Sequence, residues 1–193
     1  KLTDSAHKWH IISGRIFFYG MLGIFVSALA MSLIRLNPPM LFVSIFSFYF
    51  AWMGRRYAHN RVGKPSGLDK IIVPIMTVVF AGMTLYGLFA FYALEQGFGI
   101  VIIVFGVIGV LNAWGDWQII RKGGAKGKLR IAEHLGKMLG GTIAAVTAFL
   151  VINVDFEPAV VVWLAPTVVL TPLIYIWSRK INQGVRRKGM GEV

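Results

Sequence analysis

The sequence predicts an all-α fold: one polytopic membrane domain over residues 1–193, built as an integral bundle of six visible transmembrane helices. Three observations carry this. Hydrophobic residues make up 56% of the chain and charged residues only 15%, where soluble domains carry about 25% charged residues. The apolar residues gather into blocks of roughly 17–25, the length a helix needs to cross a hydrocarbon core about 30 Å thick. Once the spans are drawn, all of the 20 Lys and Arg residues except Arg35 fall on one side.

The first span reads from Gly14 to Ile34. Ser27-Ala28-Leu29-Ala30 imitates a signal cleavage site, but the apolar run before it is too long for a signal core and continues past it, so a retained span is expected. The second span, Met40 to Met53, is short unless the helix runs on to Tyr57 with Arg55 and Arg56 reaching for head groups. The third covers Ile71 to Leu94, the fourth Gly97 to Trp114, the fifth Ile131 to Asn153 and the sixth Val160 to Trp177. Pro74, Pro166 and Pro172 remove backbone donors and predict kinks, with Thr167 and Thr171 placed to satisfy freed carbonyls.

The basic side collects Lys8, Arg15, Arg55, Arg56, Arg61, Lys64, Lys70, Arg121, Lys126, Arg130, Lys137 and the C-terminal cations, whereas the other side offers Arg35, Glu95, Asp155 and Glu157. The positive-inside rule puts the basic loops and the C-terminus in the cytoplasm, and the expected site is a bacterial inner membrane. A net charge of +12 suggests nucleic acid in a soluble protein. Beside apolar spans the same cations serve insertion and anionic lipid head groups, so the expected partner is the lipid bilayer and not nucleic acid. Trp9, Trp52, Trp114, Trp117 and Trp177 fall at the basic ends of spans and Trp163 near the other interface, as an aromatic belt does.

Gly136, Gly140, Ala144 and Ala148 recur at one-turn spacing in the fifth span. Small residues so arranged let helix backbones approach closely where lipid gives no hydrophobic drive to associate, and packing within the bundle is the expected use. Gly106, Gly109 and Ala113 form a weaker version, as do Gly23, Ser27 and Ala30.

Chemistry has few footholds. The chain has no cysteine, which excludes disulfides, thiolate metal sites and Cys nucleophiles. Gly123-Gly124-Ala125-Lys126-Gly127-Lys128 lacks phosphate-loop spacing, and reads as a flexible basic loop. No serine has a nucleophile-elbow context, and the reading leans away from an enzyme. All four histidines, His7, His10, His59 and His134, belong to the basic side. His7 and His10 lie one helical turn apart, and such a cluster has the donors for zinc or for b-type haem. Solvated interfacial histidines are the plainer account.

Asp116 stands out in Trp114-Gly115-Asp116-Trp117. An acid at membrane depth is costly unless paired, and Arg15, Arg55 and Arg56 are its expected partners.

Two stretches carry a resemblance. His7-Lys8-Trp9-His10 with Ser13-Gly14-Arg15-Ile16-Phe17-Phe18-Tyr19 resembles the opening of a group of bacterial multi-pass membrane proteins of unassigned activity. His134 through Gly140, followed by Ala144-Ala145-Val146-Thr147-Ala148-Phe149, is similar to a later span of theirs, as are Trp163-Leu164-Ala165-Pro166 and Thr171-Pro172. In that group the opening motif follows a further helix, so the resemblance implies a seventh span upstream. It implies an architecture and not a mechanism.

The leading functional expectation is therefore a non-catalytic membrane component working with other membrane subunits. The alternative is a haem- or metal-binding redox subunit using the histidines at the cytoplasmic side. A small-solute transporter comes third, since no inverted repeat joins the two halves.

Overall fold

A computed structural model of the chain describes residues 4–35 and 38–189. It contains six helices: α1 Asp4–Arg35, α2 Pro38–His59, α3 Gly67–Tyr92, α4 Gly99–Arg121, α5 Gly127–Asn153 and α6 Ala159–Gly189. No strand occurs among the described residues. The fold is the expected all-helical bundle, and five of its helices, all but α2, are long and apolar enough to cross a membrane.

Why α2 differs is clear from its place. It packs against α1, α3, α4 and α5, and Phe46, Tyr49, Phe50, Ala51, Met53 and Tyr57 are all buried. A helix sheathed by its neighbours meets little lipid, so it tolerates Ser44, Ser47, Arg55 and Arg56. Ser44 and Ser47 donate to the Leu41 and Val43 carbonyls, at 2.8 and 2.7 Å. At 22 residues and 1.5 Å per residue it is about 33 Å long, enough to span.

Successive helices alternate in direction. The N-terminal part of α1 meets that of α5 through His10 and His134; the C-terminal end of α2 meets the first turn of α3 through Arg56 and Asp69. At the opposite end Phe98, just before α4, stacks edge-on against Trp163 of α6 at 4.9 Å. The basic loops, 60–66 and 122–126, therefore share one end of the bundle.

At that end the helices outrun the expected spans. α1 begins at Asp4, α2 continues to His59, α4 to Arg121 and α6 to Gly189. Hydropathy marks where lipid ends, whereas backbone hydrogen bonding continues into the head-group layer wherever polar side chains supply caps. Ser66 and Asp69 form such a cap on α3: the Asp69 amide donates to Ser66 Oγ at 3.3 Å and the Ser66 amide donates to Asp69 Oδ2 at 2.8 Å. Arg130 serves α2, donating from Nη1 to the Tyr57 and Ala58 carbonyls at 2.9 Å each.

The glycine-bearing loop 122–126 is not loose. Ala125 is buried, and Gly63 and Gly124 take φ of +77° and +99° where the two basic loops touch. A side chain on Gly124 would strike the Gly63 carbonyl. Close approach, not phosphate binding, explains these glycines.

α3 and α4 form the tightest pair in the bundle. A Cβ on Gly87 would come within 2.8 Å of the Ile103 amide nitrogen, and one on Gly109 would press into the Phe80 ring. Gly106, Gly109 and Ala113 thus pack within the bundle against α3. Between α2 and α5 the same role falls to Gly140, where a Cβ would meet Phe50, and to the buried Ala144. Gly136 opens instead onto free space, and Ala148 is exposed. Gly23, Ser27 and Ala30 face outward on α1. Pro74, Pro166 and Pro172 leave α3 and α6 as continuous helices.

The outer surface is apolar. Val78 and Leu85 on α3, Leu111 on α4, Phe149 on α5 and Val168 on α6 are each about two thirds exposed or more (65–71%). Soluble monomers rarely expose contiguous apolar surface on this scale; lipid contact accounts for it.

Candidate functional site

Three helices bring polar side chains to one interior point. On α4, Asn112 and Asp116 are one turn apart and share a face; on α5, Glu133 and Lys137 have the same spacing; on α2, Tyr49 and Tyr57 lie two turns apart. Asp116 and Lys137 are buried, 1% and 2% exposed. Their ion pair closes at 2.6 Å between Lys137 Nζ and Asp116 Oδ2.

Both carboxylate oxygens are served. Tyr49 donates its hydroxyl to Oδ2 at 2.5 Å and Tyr57 donates to Oδ1 at 2.7 Å. Lys137 Nζ also donates to Asn112 Oδ1 at 3.3 Å. The Asn112 amide is oriented by its own donation to the Ile108 carbonyl, at 2.9 Å. The ammonium lies 5.4 and 5.3 Å from the Tyr49 and Phe50 ring centroids, near enough for cation–π attraction. Charges removed from water hold together only with this degree of hydrogen bonding.

The expected arginine partners of Asp116 are engaged elsewhere. Arg56 clamps Asp69 through two contacts, Nε to Oδ1 at 2.8 Å and Nη2 to Oδ2 at 2.6 Å, and Nη2 also reaches Ser66 Oγ at 2.7 Å. Arg55 lies over the Phe18 ring at 4.4 Å. Arg15 is exposed on α1. Lys137, placed with the basic face by its position in the sequence, is instead an interior residue. Ten residues into α5, about 15 Å from its start, it reaches across to Asp116 on α4.

Beside the pair lies a cavity of about 310 Å³ between α2, α4, α5 and α6, open to the outside at Leu111 and Thr171. Phe46, Phe50, Phe105, Ile108 and Ile143 give it an apolar wall, and Asn112, Glu133, Lys137, Thr167 and Thr171 give it polar ones. Gly136 and Gly140 line it too, so part of the small-residue stripe makes room for a void as well as for a helix. Glu133 forms no ion pair or side-chain hydrogen bond among the described residues.

The histidines behave differently. His7, His10 and His59 are exposed, and His59 Nδ1 lies 3.0 Å from the Arg55 carbonyl one turn back. His134 is half-buried, its Nδ1 2.8 Å from the Gly54 carbonyl, which assigns the proton to Nδ1. The rings of His10 and His134 meet edge-on at 6.2 Å. Among the described residues no group of three His, Asp or Glu side chains is placed to hold a metal ion.

Fold and site together define a multi-pass membrane protein with a buried ion pair set against a cleft between helices. No protein-family model, curated protein or solved structure matches the chain.

Proposed function

We propose that the protein binds a small solute inside the membrane, in the cavity between α2, α4, α5 and α6, as a carrier does. The observation behind this is the cavity's construction. It is a cleft of about 310 Å³ that runs from the exposed Leu111 and Thr171 inward to the buried Lys137. A void of this size with apolar walls and a few convergent polar groups matches the build of small-molecule sites. This build favours the carrier reading over the component expected from missing motifs.

The orientation belongs to the same proposal. With nearly all cations at one end, the basic loops and C-terminus lie on the cytoplasmic side of a bacterial inner membrane. The resemblance to bacterial multi-pass proteins carried by His7–Tyr19 and His134–Phe149 supports this location.

The chain's lack of cysteine gives a direct test. A Cβ at Gly136 meets nothing within 4 Å, so Gly136→Cys places a thiol in the cavity without displacing a neighbour. Small methanethiosulfonate reagents should modify that thiol in the folded protein. A thiol that reacts only after denaturation contradicts the proposal.

A further inference from the structure

We infer that the solute taken by this cavity is a small organic cation, an amine or quaternary ammonium on an apolar skeleton, with Glu133 as its counter-ion. The inference rests on the cavity being a solute site, and adds the chemical class.

Charge accounting leads to it. Lys137 and Asp116 neutralise one another at 2.6 Å, and the lysine side chain is 3% exposed. Its ammonium is thus committed and shielded. Arg130, one turn before Glu133 on α5, keeps its charge but turns to the carbonyls ending α2 and is not among the charges acting on Glu133. The groups acting on Glu133 are Lys137 on its own helix, Asp116 on α4, and the hydroxyls of Tyr49 and Tyr57 on α2. Of the described side chains of α6, Thr167, Thr171 and Ile174, all neutral, line the cleft. Among the described residues the cluster therefore carries one carboxylate without a matching cation, facing a space walled by Phe46, Phe50 and Phe105.

A carboxylate in apolar surroundings is costly until a counter-charge arrives. Aromatic faces attract cations through their quadrupole, while the same rings accommodate the apolar body of the ligand. An anion would meet Glu133 as a like charge and find Lys137 already paired. The site selects by sign.

The test uses one skeleton with three charges: 4-phenylbutylammonium, 4-phenylbutanol and 4-phenylbutyrate, titrated into the purified full chain in mild detergent. The cation should bind at least about tenfold more tightly than the alcohol, a difference of about 1.4 kcal/mol, and the anion more weakly than either. Glu133→Gln should bring the cation down to the alcohol's affinity while leaving the alcohol unchanged. Gly136→Leu, which fills the cavity and leaves Glu133 in place, should abolish binding of the cation and the alcohol, and so covers the case in which Glu133→Gln does not fold. Tightest binding by the anion, or equal binding of cation and alcohol, overturns the cation assignment while leaving the solute site intact. If none binds and the thiol of Gly136→Cys is unreactive, both readings fall; if none binds although that thiol reacts, only the ligand class is lost.

Discussion

At Asp116 the carboxylate accepts from one ammonium and two phenols and is itself 1% exposed. Removing that charge leaves Lys137 buried without its partner, and Asp116→Asn should cost about 3–5 kcal/mol of stability. Adding Lys137→Met should restore most of the loss, because a neutral pair carries no stranded charge. Equilibrium unfolding of the single and double variants measures both, and a double variant no better than Asp116→Asn refutes the pairing. Tyr57→Phe removes one hydrogen bond to a charged group and should cost roughly 1.5–3 kcal/mol by the same measurement. The importance of Asp116 was legible, since an acid between two tryptophans beside an apolar run needs a partner. Its partner was not. Lys137 lies near a basic loop in the sequence, and only helix phase turns it inward. The signal was its spacing: Asn112 with Asp116, and Glu133 with Lys137, each repeat after one turn, so each pair shares a helix face.

At the scale of elements, glycines with one composition have opposite roles. Gly106 sits where α3 crosses α4, and a Cβ there would run into Thr84, 2.8 Å from its amide nitrogen. Gly106→Ala should force the pair apart and cost roughly 1–3 kcal/mol. Gly136 faces open space, so Gly136→Ala should stabilise α5 by roughly 0.5–1 kcal/mol. Thermal unfolding of the two variants checks the contrast, and shifts of the same sign contradict it. The existence and order of all six helices could be read from apolar runs and charged gaps. Their length at the basic end could not, because capping by Ser66, Asp69 and Arg130 depends on neighbours that meet only in the fold. The central place of α2 was hidden for a related reason: its serines and arginines look like a weak span until the helices around it are known.

Across the whole molecule, one end is basic, the flanks are apolar and the polar interior lies close to the basic end. Asp116 is five residues, about 7.5 Å, from the end of α4. The polar end of the cleft, at Asn112 and Lys137, therefore lies nearer the basic end of the bundle than the far one. All of this assumes that the helices thread a bilayer in alternating directions. Single cysteines at four exposed loop positions, Lys64→Cys, Gln96→Cys, Lys126→Cys and Asp155→Cys, test that in an otherwise cysteine-free chain. With an impermeant thiol reagent applied to intact cells, Gln96→Cys and Asp155→Cys should label from outside, and Lys64→Cys and Lys126→Cys only after the membrane is opened. Labelling of Lys64→Cys or Lys126→Cys together with Gln96→Cys in intact cells would contradict the account.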